Sequence, residues 1–365
     1  MTPRQSPKAP PFCPNPKCAF HCGDTTSWRW VGNGSYTSAR SCRSTKRYIC
    51  RACGRSFSSR SFRSTYWLKR PEIFLKVARG LVSCSGYRQL AAGFGVSPQT
   101  VARHAARLGR QALLFHESMR QRTTVSEPLA LDSFVSFAYS QYFPLHFHFA
   151  IGRQSHYVFG FTESECRRSG TMTRAQRARR AFLEQTLGRP DPKAREKDVA
   201  ELLRIVTLGA GPIDLSTDED QAYPRAIRRS GVAVNLHTTS SRAARTTKNP
   251  LFPVNLVDLQ ARHASANHKR ETISFSKLIR GAIERMWLFV VWKNYVKPFS
   301  EKTRGATPAQ RAGVTDRRWS FRQIFRRRRF PGRVGLPERW RAHFEGTTPT
   351  RVYGSREMKP LRYAY

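Results

Sequence analysis

PLALDSFVSFAY, residues 128–139, begins as an apolar run and stops on an acid, Asp132. An acid at the end of a central strand is costly unless it is paired or meets a cation. The position therefore draws notice in a chain with only 24 Asp and Glu against 65 Lys and Arg. A second stretch, GPIDLSTDEDQAYPRAI (211–227), repeats the arrangement: a strand runs into Asp218, then a loop and a helix. LHFHFAIG (145–152) and HYVFGFTE (156–163) read as a hairpin. Residues 167–191, best formed over 178–187, and 198–208 have helical spacing, and VAVNLHT (232–238) is another strand. Helices are predicted over 256–272 and 275–295. The fold class is α/β. Two strand-end acids brought onto neighbouring strands would make the oxygen-rich site that Mg²⁺ prefers, with a third carboxylate from a nearby helix completing it.

Toward the N-terminus, six of the eight cysteines fall within the first 53 residues, in FCPNPKCAFHCGD (12–24), at Cys42 and in RYICRACGRSFSSRSF (47–62). Such clustering suggests a local metal site rather than a disulfide framework. Cys50 and Cys53 form a C-x2-C knuckle followed by Gly54, and Cys13 with Cys18 forms a looser pair. Four thiolates give a closed, structural Zn²⁺ site, with Cys22 or Cys42 as substitutes for one ligand.

YRQLAAGFGVSPQTVARHAARLGRQALLF (87–115) reads as helix, glycine-containing turn, helix. Ser97 suits the N-cap and Pro98 the first helical position. This is the helix-turn-helix pattern, which directs Gln99, Thr100, Arg103, His104 and Arg107 toward a DNA groove. The formal net charge of +41 points to a polyanionic partner, and nucleic acid is the commonest one. With 39% hydrophobic and 12% aromatic residues the chain is too apolar for a disordered basic tail. The N-terminus lacks the apolar core of a signal peptide, and the longest apolar run (286–292) is too short to span a bilayer. A soluble, cytoplasmic chain with no membrane partner is expected.

The order of elements from residue 128 onward matches an RNase H-like core. The stretches 128–152, STDEDQAYPRAIRR (216–229), NPLFPVNLVDLQARHASANHKRETISFSK (249–277) and WLFVVWKNYVKPFSE (287–301), behind the cysteine and helix-turn-helix motifs, resemble bacterial insertion-sequence transposases of the DDE type. The resemblance implies catalytic, Mg²⁺- or Mn²⁺-binding roles for Asp132 and Asp218. For the third acid it implies Asp258, in the N-x-x-D context, with Glu271 as runner-up and Glu284 behind it. Ser133 departs from the family pattern, which has an acid there. Lys269 and Arg270, beside His263 and His268, are expected to hold the DNA backbone. The implied function is binding of duplex DNA at transposon ends, then strand cleavage and transfer by a homodimer or larger assembly. A catalytically inactive DNA-binding regulator is the alternative. The expected domains are a zinc ribbon (1–62), a helix-turn-helix domain (63–122), a catalytic domain (123–300, with a helical insertion at 167–209) and a basic tail (301–365).

Overall fold

The computed structural model describes residues 9–37, 44–240, 242–302 and 305–351. Near the N-terminus, Trp30–Thr37 (β1), Ser44–Cys50 (β2) and Ser56–Ser58 (β3) form a three-stranded antiparallel sheet with β2 in the middle. Tyr48 and Cys50 alternate inward along β2 and meet Trp28 and Phe57 in a small separate core.

Three helices follow: Phe74–Leu81 (α1), Tyr87–Phe94 (α2) and Pro98–Arg120 (α3). The Ser97 hydroxyl caps α3 by accepting from the Thr100 N–H at 3.2 Å. Beyond Arg103, α3 is almost wholly buried, although it carries polar side chains such as Arg107, Arg110, His116 and Glu117. Such a helix lies inside a core rather than on a surface. It packs on Ile279–Val291, and Gly109 makes the approach possible, because a Cβ there would sit 2.3 Å from the Glu284 carbonyl oxygen.

The main sheet contains Leu129–Phe137 (β4), Pro144–Gly152 (β5), Val158–Glu165 (β6), Ile213–Thr217 (β7) and Val234–Thr238 (β8), in the order β6-β5-β4-β7-β8. β4, β5 and β6 are antiparallel neighbours, whereas β4, β7 and β8 run parallel. Between the strands lie Arg174–Leu187 (α4), Ala194–Val206 (α5) and Ala222–Ser230 (α6), and after them Phe252–Ala264 (α7) and Ile279–Val291 (α8). The two faces of β5 show how the sheet is covered. His148 bonds Ser164, which reaches Asp198 on α5, while Phe147 and Phe161 pack toward His268 and Trp287 on the α7–α8 side.

Two expectations about organisation need correction. The boundary at 122/123 is no break in the core, since buried residues of α1–α3 and of the sheet belong to one continuous cluster. Nor are residues 305–351 of the expected basic tail separate from the body. Pro308–Arg311 (α9), Phe321–Ile324 (α10) and Glu338–Glu345 (α11) bury Phe321, Ile324, Phe325, Trp340 and Phe344 in that cluster. Two of these helices have only four residues, too short for a 3.6-residue period to register. Residues 352–365 lie outside the described residues. Among the described residues, no helix is long and apolar enough to cross a membrane.

Arg339 fastens α11 to the sheet. Its guanidinium meets Glu163 on β6 at 3.2 Å and Glu201 on α5 at 3.0 Å, and it also pairs with Asp198. Glu163 is buried and its other oxygen bonds the enclosed His343 ring at 2.7 Å. Removing the cation leaves these carboxylates without their main counter-charge. Arg339→Leu is therefore expected to lower unfolding free energy by about 3–5 kcal/mol. Urea titration checks this, and a loss below about 1 kcal/mol, the scale of a surface pair, would contradict the clamp.

Candidate metal centre and acidic site

The four predicted zinc ligands come together. The Cys13 and Cys53 sulfurs are 3.7 Å apart, those of Cys18 and Cys50 are 3.9 Å apart, and all four lie within 4.8 Å of one another. Tetrahedral Zn²⁺ with bonds of ~2.3 Å needs its sulfurs ~3.8 Å apart, so the group fits that ion. Backbone bonds set the geometry: Cys13 N–H donates to Phe20 O at 3.2 Å, and Gly54 N–H to Cys50 O at 2.9 Å. Burial alone would raise the Cys50 thiol, but the Trp28 indole N–H, 3.2 Å from its sulfur, and the backbone N–H groups of Cys53 and Ala52 override it and hold it at about 6. Burial raises Cys13 and Cys18; a cation would offset that cost. Cys22 is exposed and outside the cluster, and Cys42 lies outside the described residues.

The acids are arranged differently. Ala130 pairs with Ser216 in the parallel pair β4/β7. Asp132 lies two residues further along β4, and Asp218 is the first residue past the end of β7, close enough for its charge to act on Asp132. Asp132 Oδ1 accepts from its neighbour Ser133 N–H at 2.6 Å and from the Tyr223 hydroxyl at 3.1 Å. Burial raises the Asp132 pKa, and the charge of Asp218 adds to the rise against the Ser133 N–H. Asp258 comes from α7. Burial, then the charge of Asp132, pushes it to about 8 against the pull of Arg262 and Arg245. Its Oδ1 is buried with no hydrogen-bond partner. The electrostatic chain therefore runs Asp218, Asp132, Asp258, although these oxygens are not gathered as tightly as the four sulfurs. Of the three acids only Asp258 has a buried oxygen without a partner, since Asp132 accepts the two bonds above and Asp218 accepts from the Asp220 N–H at 3.0 Å.

No family model and no curated protein matches this chain.

The other candidate acids stand apart. Glu271 is exposed in the irregular segment after α7, because the helix stops at Ala264 rather than continuing to 272. Glu284 is buried on α8, 3.5 Å from the Arg110 guanidinium of α3, as part of helix packing. Lys269 and Arg270 are exposed on the same segment as Glu271. His268 turns inward, its Nδ1 2.9 Å from the Ser136 hydroxyl. At the start of α3, Gln99 and Arg103 are exposed and Thr100 is half-buried. His104 and Arg107 are corrections to the outward set. They are 2% and 5% exposed, with His104 against Phe74 and Arg107 donating to the carbonyls of Ser64 and Tyr66.

Three residues have supporting roles that the sequence does not reveal, Arg262 among them, which by its place one turn from Asp258 is expected to face the DNA backbone. Tyr223 stands five residues after Asp218, and only the register shows that it reaches Asp132. Arg262 donates to Val135 O at 3.0 Å and to His268 O at 3.2 Å, and it lies 4.5 Å over the Phe134 ring, pinning α7 to β4. Arg195 on α5 pairs with Asp220 at 2.8 Å beside the site, a contact no local motif signals.

Proposed function

We propose that this protein is a DDE-type transposase of the insertion-sequence kind, which binds duplex DNA at transposon ends and cleaves and joins strands by metal-dependent phosphoryl transfer. The observation that carries the reading is the nearness of Asp132 on β4 to Asp218 just past the end of the neighbouring parallel β7, with Asp258 on α7 coupled to Asp132. An RNase H-like core belongs to the same proposal, supported by three antiparallel strands continued by two parallel ones in the order β6-β5-β4-β7-β8.

Asp132, Asp218 and Asp258 would hold Mg²⁺ or Mn²⁺. Bound there, the cation supplies Lewis acidity to a phosphodiester undergoing in-line displacement. The chain's own residues position this set. Tyr223 fixes one oxygen of Asp132, and Arg262 sets the distance of α7 from β4. Gln99, Thr100 and Arg103, at the start of a helix entered through a tight turn, form the groove-reading edge of a helix-turn-helix. The zinc ribbon supports that reader, and the exposed Lys269 and Arg270 contact backbone phosphates. Processing two ends calls for a homodimer or larger assembly on DNA.

The test is nicking of labelled duplex carrying the element's own terminal sequence, with Mg²⁺. Asp218→Asn is expected to reduce cleavage by at least about 10²-fold while end binding is kept. Equal cleavage by the variant rejects the acid assignment. Wild-type protein that binds ends and never nicks them is the inactive regulator instead.

A further inference from the structure

A cavity of about 960 Å³ lies away from the acids. It lies where Phe12 of the N-terminal module, the end of α3 and residues 313–334 meet. Arg122, Arg317, Arg327, Arg328, Arg329 and Arg333 line it, and among the described lining residues Asp316 is the one carboxylate.

Two enclosed arginines elsewhere are paired with acids. Arg120 lies 2.8 Å from Glu117, and Arg339 gathers three carboxylates that raise its pKa despite burial. The floor of the cleft is different. Arg328 and Arg329 are half-buried, and desolvation lowers each to about 10. Their visible partners are rings and a carbonyl: Arg328 over Phe330 at 4.7 Å, Arg329 over Phe115 at 4.5 Å and 2.9 Å from Ile324 O. At the rim, Arg317 stacks over Trp319 at 4.1 Å and Arg333 over Phe12 at 4.3 Å, while Arg122 and Arg327 are exposed. Stacking on rings holds guanidinium planes without neutralising them, and although Arg329 and Arg333 each give one donor to a carbonyl, their charge stays uncompensated. Six cations around one cleft exceed what a single phosphate monoester can balance. A run of phosphodiesters matches them, with aromatic edges alongside suited to sugar and base.

We propose that this arginine cleft is a second nucleic-acid site, separate from the helix-turn-helix and the acids, that grips the phosphodiester backbone of DNA flanking the reacting strand. It rests on the reading of the chain as a DNA-processing protein. Because Phe12 and the C-terminal segment both line the cleft, bound DNA would bridge the zinc module to the body.

The experiment measures the affinity of the full chain for labelled duplex and single-stranded DNA across a salt series. It compares wild type, Arg122→Ser/Arg327→Ser, and a control with equal charge loss on the exposed face of α4, Arg174→Ser/Arg177→Ser. The cleft variant is expected to lose affinity on the order of tenfold or more, with its log–log salt slope reduced by about 2, on at least one of the two DNAs. The control should change by less than about threefold, and the DNA that shows the loss identifies the strand form gripped. Unchanged affinity and slope in the cleft variant, or an equal loss in the control, overturns the cleft while leaving the proposed function standing. Wild-type protein that binds neither DNA overturns both.

Discussion

Asp258→Asn is expected to give a protein that is more stable than wild type and unable to cleave DNA. The argument starts from the folded-state pKa of about 8, raised by burial and by the charge of Asp132. In the unfolded chain the same carboxyl titrates near ~3.9. The native state therefore binds more protons than the unfolded state between roughly pH 4 and 8, and stability falls as pH rises through that window. At pH 7 the strained acid costs about 2–4 kcal/mol, allowing for relaxation around it. Asparagine removes the charge at similar volume, so the variant should be more stable by that amount at neutral pH. The difference should shrink toward zero as pH approaches 4 and level off above 8. Mg²⁺ narrows or cancels the difference: a cation bound by native wild type at 100 times its Kd adds about 2.7 kcal/mol, and the variant should gain much less. Cleavage should fall by at least about 10²–10³-fold. Chemical denaturation at pH 5, 7 and 8.5, with and without Mg²⁺, checks the stability half. A variant less stable than wild type at pH 7 without metal would mean that Asp258 is an ordinary packing residue.

The proposed trade of stability for chemistry bears on why part of this site is legible in the sequence. Asp132 and Asp218 each follow an apolar run, and such an acid is conspicuous where carboxylates are scarce, although β4 continues past Asp132 to Phe137. Cys50 and Cys53 are legible because a two-residue spacing aims both sulfurs at one point. Legibility fails where long-range packing decides. His104 and Arg107 sit on the first turns of a capped helix, where polar side chains are expected outward. The segment carrying Ser64 and Tyr66 closes over them and supplies carbonyl acceptors from 41 and 43 residues away. Gly109 looks like the end of a helical pattern, yet it is the point where α3 meets α8, and the helix runs on to Arg120. Asp258 is legible only through its resemblance to a motif. Its linkage to Asp132 depends on Arg262 holding α7 against β4, which no local spacing reports. In the C-terminal segment, arginines interrupt every apolar run, so the burial of Phe325 and Trp340 leaves no periodic trace.

Removing zinc should have the other large effect, confined to one end of the molecule. The buried core of the N-terminal module consists of Trp28, Tyr48 and Phe57 with three of the four cysteines. Three aromatic side chains cannot offset the ordering of more than thirty residues, at roughly 1–2 kcal/mol of backbone entropy each. The ion must supply much of the difference, and apparent binding free energies for structural Zn²⁺ are about 10–16 kcal/mol near neutral pH. The main body has its own continuous core and needs no such staple. Cys50→Ser should therefore lose the zinc, about one ion per chain, and show fast amide exchange over residues 13–57, while β4–β6 stay protected. Cys22→Ser, outside the sulfur cluster, should keep both zinc and protection. The damage should also cross into the C-terminal segment. Phe330 packs edge-on against Phe12, His21 and Phe62, and Arg333 donates to His21 O at 2.6 Å. Melting the module removes those partners, so exchange should rise around 328–334 and affinity for DNA should fall further than loss of the ribbon's own contacts explains. Metal analysis with exchange mass spectrometry reads both effects. Full zinc content in Cys50→Ser would reassign the ligands, and a metal-free protein with residues 13–57 still protected would show that the ribbon's packing, not its ion, holds it.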